Sequence, residues 1–144
     1  QFWNTKLSLN ELRQLGLNNP PVQLLVLSAC RTALGDEQAE LGFAGLAVQA
    51  GVKSGLGSLW YVSDAATMAF MTEFYEQLKI APIKAEALRQ AQLAMIEGKV
   101  HVRGGKLMTT RGSFPLPPDL AWLENQNLSH PYFWSAFTMI GNPW

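Results

Sequence analysis

The sequence holds a single cysteine, Cys30, among its 144 residues. One thiol cannot close an intramolecular disulfide, which excludes a small scaffold held by disulfides. Only two histidines accompany it, both far from Cys30 in sequence, so no structural zinc site is expected. Charge is scarce as well: Asp, Glu, Lys and Arg make up 15% of the chain, against roughly 25% in an average domain. A hydrophobic fraction of 48% nevertheless excludes an intrinsically disordered chain. Eleven Lys and Arg offset eleven Asp and Glu to a formal charge of zero. Nucleic acid and anionic lipid both call for a basic excess, so neither is expected as the main partner. No apolar run approaches the ~20 residues of a transmembrane helix. The start, Gln1-Phe2-Trp3-Asn4, has neither an initiator Met nor the pattern of a signal peptide. The expectation is a C-terminal piece of a longer cytoplasmic chain. Walker, zincin and Gly-x-Ser-x-Gly patterns are missing, and Gly55-Leu56-Gly57 lacks the third glycine of a dinucleotide loop.

What is present reads as alternating strands and helices. Leucines at 7, 9, 12, 15 and 17 predict a short helix over 9–15, stopped by Gly16 and by Asn18-Asn19-Pro20-Pro21. Residues 22–30 are a continuous apolar run of strand length, the pattern of a strand covered on both faces. A polar loop follows to Gly42, then a helix from about 43 to 50 with Gly51 as its C′ residue. Residues 54–62 predict a second buried strand, with small residues where a neighbour comes close. Ser63 or Asp64 then caps a helix to about Leu78, with Ala66, Ala69, Phe70, Phe74, Tyr75 and Leu78 as its core stripe. Pro82 opens another helix to about Glu97, with Leu88, Ala91 and Met95 inward. This alternation predicts an α/β fold. Residues 98–128 break the pattern: 100–108 look like a hairpin turning at Gly104-Gly105, and Leu116-Pro117-Pro118-Asp119 starts a loop or a helical turn. Residues 132–140, rich in aromatics, predict a final strand. About three core strands are too few for a stable sheet, so further strands are expected upstream of Gln1.

Cys30 closes the first apolar strand and is followed by Arg31, Thr32 and a polar loop. In open α/β sheets functional groups collect at the carboxyl ends of strands. A thiol held there can act as a nucleophile if an imidazole or another group lowers its pKa. The competing reading is a small buried thiol. Spacing alone leaves both open.

The neighbourhood adds a resemblance. Ser28-Ala29-Cys30-Arg31-Thr32 shares an Ala-Cys-Arg centre with the local signature of caspase-type peptidases. The longer string from Leu24 to Gly35 resembles the cysteine motif of CHAT domains, caspase-like domains commonly fused to tetratricopeptide repeats. Gly51-Val52-Lys53-Ser54, Ser58-Leu59-Trp60-Tyr61-Val62-Ser63-Asp64, Phe74-Tyr75, Leu88-Arg89-Gln90-Ala91-Gln92 and His130-Pro131-Tyr132-Phe133-Trp134-Ser135-Ala136-Phe137 follow in family order. The resemblance implies a caspase-like three-layer α/β sandwich with a mostly parallel sheet. Residues 1–144 would form the C-terminal part of one such domain, with 98–128 as an insertion. It also implies Cys30 as catalytic nucleophile, no metal or organic cofactor, and a protein or peptide as substrate. The family's catalytic histidine sits on the strand before the cysteine strand, in a His-Gly setting, which falls before Gln1. Neither His101 nor His130 matches it. His101 is expected to be solvated or packed and His130 to be structural or capping. This piece alone is therefore expected to be inactive.

Asp64 follows the second strand at the same carboxyl edge as Cys30. Trp60-Tyr61-Val62-Ser63-Asp64 resembles the Trp-x-Val-x-Asp stretch that leads into the specificity pocket of the related separases. Such a carboxylate would select a basic P1 side chain through a charge-assisted bond. The simpler reading is a helix N-cap, and the two roles can coexist. Lys99, Arg103, Lys106 and Arg111, with no acid between them, are expected to form a solvated hairpin rather than a nucleic-acid site. A different class of function, a signalling or scaffold domain bound to repeat modules, stands as the alternative. A sheet edge left open by absent strands would also favour a homodimer.

Overall fold

The structure is a computed structural model that describes residues 13–27, 44–45 and 47–144. It divides into two compact units, one holding the described residues up to Tyr61 with 137–143, the other spanning 62–136.

The first unit is built on a three-stranded sheet. Strand β1 (Leu25–Leu27) pairs in parallel with β2 (Ser54–Ser58), in the register Leu25↔Gly55 to Leu27↔Gly57. The last strand of the chain, labelled β7 (Phe137–Gly141), runs antiparallel along the other side of β2, from Ser54↔Gly141 to Ser58↔Phe137. The predicted helix over 9–15 shows its described part as a 3-10 turn, Arg13–Leu15. The apolar run 22–30 is a strand only over 25–27 among the described residues. Residues 22–24 instead lead into β1 as an irregular segment with a bend at Gln23, the Val22 N–H donating to the Leu17 carbonyl (2.9 Å) and the Val22 carbonyl accepting from Lys53 N (2.9 Å). β1 is half-buried rather than fully covered, and among the described residues it has a strand on one side only.

The helix expected over 43–50 is seen at residues 44–45 and 47–49. Its end matches the expectation closely. Gly51 N–H donates to the Val48 carbonyl (3.0 Å) and Val52 N–H to the Ala47 carbonyl (3.1 Å), the paired bonds of a Schellman motif. Gly51 has φ +100°, and a Cβ there would collide with the side chain of Asn18. Ala47 and Val52 are buried, with Leu17, Val22, Leu25 and Ala50 packed against them. Gly55 of β2 shows why that strand carries small residues: an added Cβ would come within 3.1 Å of the Ala44 Cβ.

The second unit opens with helix α1 (Asp64–Leu78), followed by α2 (Lys84–Ile96), and the two pack against each other. Ala66, Ala69, Phe70 and Phe74 of the expected stripe are fully buried, whereas Tyr75 is exposed and Leu78 half-buried. Helix α2 buries Ala87, Ala91, Ala94 and Met95, with Leu88 only half-buried. Alanine at these positions lets two helix backbones approach closely. The hairpin comes next: β3 (His101–Arg103) and β4 (Lys106–Thr109) turn at Gly104 and Gly105. Both glycines have positive φ (+56° and +69°), the geometry of a two-residue type I′ turn.

Two further strands, not expected from the sequence, extend this hairpin into a four-stranded sheet. They are β5 (Gly112–Pro115) and β6 (Asn125–Asn127), and the order is β5-β4-β3-β6 with every pair antiparallel. A 3-10 turn, Pro118–Leu120, lies between them as expected. The closing segment departs from prediction at its start. Pro131–Trp134 forms a short helix, α3, and the strand begins only at Phe137. Pro131 at the first helical position favours the helix, because its missing N–H is one the first turn leaves unpaired anyway.

The chain is thus mixed α/β, as expected. The mostly parallel sheet is not what the described strands form: one ladder is parallel, β1–β2, and the others are antiparallel. The physical reason within 98–128 is connection length. The two-residue turns that join β3 to β4 and β4 to β5 can connect only antiparallel neighbours, whereas a parallel pair such as β1–β2 needs a long crossover.

Candidate active site

Cys30 lies outside the described residues, as does Arg31. The described chain reaches Leu27 on β1, three positions short of the thiol. Because β1 and β2 are parallel, their carboxyl ends lie at one edge of the sheet, where the segments leading to Cys30 and out of Ser58 begin.

Asp64 is the first residue of α1 and is exposed. Of the two candidate caps, Ser63 serves: its Oγ accepts from the Ala66 N–H at 3.4 Å. The capping reading of Asp64 is therefore corrected. Ser63 holds the extended backbone of an N-cap, while Asp64 is already helical and its carboxylate sits in the first turn, where the helix dipole favours negative charge. Among the described residues no hydrogen bond or ion pair engages that carboxylate. Upstream of it, Val62 is fully buried, Tyr61 is 57% exposed and Trp60 half-buried.

The two histidines take the roles expected of them. His130 caps α3, its Nδ1 accepting from the Tyr132 N–H at 3.2 Å. Its ring also meets Phe133 edge-on, with centroids 6.4 Å apart. His101 packs its Nδ1 against the Gly98 carbonyl at 2.9 Å, and since a carbonyl only accepts, Nδ1 carries the proton. Both rings are thus tied down by their Nδ1 atoms in local structure.

One buried titratable group escaped the sequence reading. Glu73 of α1 has no exposed surface. Its carboxylate accepts from Gln77 Nε2 at 2.6 Å, from the Thr110 backbone N–H at 3.1 Å and from the Thr110 hydroxyl. The only sequence signal was its position: Ala66, Phe70, Glu73 and Gln77 share one helix face, so Glu73 sits within the apolar stripe. Its partner Thr110 is 37 positions away and could not be foreseen.

No group of three or more His, Cys, Asp or Glu side chains able to hold a metal occurs among the described residues. None of the described helices is long and apolar enough to cross a membrane. No curated protein and no solved structure matches the chain. The family model of the CHAT domain does match, over residues 3–142. That span runs from before β1 through Cys30 and Asp64 to the end of β7, so the resemblance carried by the cysteine motif extends over the whole fold, and the chain belongs to the CHAT domain family.

Proposed function

We propose that these residues form the C-terminal part of a caspase-like cysteine peptidase domain, with Cys30 as the nucleophile. The observation that carries the reading is membership of the CHAT family across residues 3–142. The parallel β1–β2 pair supports it, since it is the arrangement expected of the central strands in a caspase-like sandwich.

In the proposed reaction the Cys30 thiolate attacks the scissile carbonyl carbon, and a backbone N–H near Cys30 stabilises the oxyanion. Collapse of the tetrahedral intermediate breaks the C–N bond, and the amine leaves with a proton from an imidazolium. Water then hydrolyses the thioester, and the imidazole takes the water's proton. The family resemblance assigns that imidazole to a strand preceding Gln1. His101 and His130, followed by Val102 and Pro131, do not match the family's His-Gly setting. Asp64, exposed and relieved of capping by Ser63, is the proposed determinant for Arg or Lys at P1. The neighbours in this reading are the upstream part of the same domain and repeat modules in a cytoplasmic protein, and residues 1–144 alone are inactive.

The test uses the full-length protein with Cys30→Ala as control and fluorogenic peptides ending in Arg or Asp. Cys30-dependent cleavage after Arg, lost in Asp64→Ala, is the expected result. Cleavage after Asp would remove Asp64 from the reading. No cleavage of either peptide, with or without repeat-module partners, would leave a non-catalytic scaffold domain as the function.

A further inference from the structure

The basic hairpin carries an unmet electrostatic demand. Across the β3–β4 ladder, Arg103 stands directly opposite Lys106, and across the β3–β6 ladder it stands opposite Asn125. His101 stands opposite Asn127 in the same ladder. Directly paired residues share a sheet face, and residues two apart on one strand share it too. One face therefore gathers two cations, two amides and an imidazole. The opposite face holds the buried Val102 and Leu107.

Like charges placed opposite each other on a sheet repel. No carboxylate occupies a ladder position on this face. Neither Arg103 nor Lys106 forms a salt bridge among the described residues, and the nearby Glu97 is paired with Lys99 at 2.5 Å. Above β3 and β6 runs a shallow trough of about 380 Å³, lined by Gly98, His101, Arg103, Asn125 and Asn127 among others. The Asn127 Oδ1 accepts from the Ser129 N–H at 2.8 Å, which turns its amide donors toward other partners. The His101 ring is held at the Gly98 end of the trough by its bond to that carbonyl.

We propose that this trough binds a carboxylate ligand, anchored on the Arg103 guanidinium with the Asn125 and Asn127 amides as further donors, while the exposed Lys106 stands opposite Arg103 outside the trough's lining. A planar guanidinium matches a carboxylate in two parallel hydrogen bonds, and the second cation offers a site for a second acid group. The chemistry suits an acidic peptide segment or a free dicarboxylate. It does not suit single-stranded nucleic acid, because no aromatic ring other than His101 lines the trough for bases to stack on. The site is independent of the peptidase reading, since it uses neither Cys30 nor Asp64.

The test measures fluorescence anisotropy of a labelled Glu-rich peptide with the full chain, beside its Gln-rich counterpart, with succinate as competitor. The Glu-rich peptide should bind and the Gln-rich one should not. Arg103→Gln should weaken binding about tenfold or more, and Arg103→Lys should fall between, with circular dichroism checking that each variant is folded. Arg89→Gln, which removes an exposed cation on α2, should leave binding unchanged. Displacement by millimolar succinate identifies a free small acid as a sufficient ligand, and failure to displace identifies the peptide; both support the site. Absence of binding, equal losses in Arg103→Gln and Arg89→Gln, or tighter binding of an oligonucleotide than of the peptide would each overturn it.

Discussion

Glu73 illustrates how a single side chain ties distant chain segments together. It sits on α1, yet two of its three hydrogen bonds come from Thr110 in the turn between β4 and β5. A buried carboxylate survives only when its oxygens are well supplied with donors, as these are. Glu73→Ala removes the acceptor from three donors at once and leaves a void beside Phe70 and Phe74. The expected loss of stability is about 2 kcal/mol, read as a lower urea midpoint in chemical denaturation. Thr110→Val, which keeps the backbone N–H bond, should cost less. His130 is the opposite case at this scale. Its capping role was legible in sequence because the cap, Pro131 and the first turn are neighbours in the chain.

Elements were legible where local signals agreed and blurred where they competed. The hairpin at Gly104-Gly105 and the C-terminus at Gly51 follow from glycine's access to positive φ, which is a local property. Helix α1 starts where Ser63 caps it for the same reason. The aromatic run 132–140 shows the competition. Strand propensity covers the whole run, but His130 and Pro131 start a helical turn that the Trp134 and Ser135 side chains reinforce. Trp134 Nε1 donates to the Ser129 carbonyl at 3.0 Å and Ser135 Oγ to the Pro131 carbonyl at 2.7 Å. Strands β5 and β6 were missed because Gly112-Ser113-Phe114-Pro115 and Asn125-Gln126-Asn127 have poor strand composition. They are strands because the β3–β4 hairpin offers them two edges.

Helix α2 also yields a pH prediction. Hydrogen bonds from Gln90 and then Arg89 hold the Glu86 carboxyl below its ordinary range. A lowered folded-state pKa contributes stability that is present above the unfolded pKa and lost as pH falls through the folded one. A carboxyl carbon chemical-shift titration should therefore place the Glu86 midpoint below that of an unperturbed glutamate. Gln90→Ala and Arg89→Ala should each move it back upward.

For the whole molecule, charge balance and layout belong to different levels. Eleven cations against eleven anions place the isoelectric point near 6.9. Molecules without net charge do not repel, so the chain should be least soluble near neutral pH and more soluble at pH 5 and pH 9, checked by light scattering. That property needs no structure. The division into two compact units does, because β7 leaves the second unit at Phe137 to pair with β2, some 80 residues back in the chain.

The α/β character, the helix end at Gly51, the hairpin turn and the family motif around Cys30 were all legible in the amino-acid sequence, whereas the choice of Ser63 over Asp64 as the cap of α1 was not. Each legible feature depends on residues within about one turn or one strand of each other, where backbone sterics and short-range hydrogen bonds decide the outcome. Three features came into view with the folded chain alone: β7 antiparallel to β2, Glu73 buried on Thr110, and Arg103 opposite Lys106 with Asn125 and Asn127 beside it. These are pairings across long loops. Their register is set by which apolar faces can be buried together, a collective property that no local stretch of sequence contains.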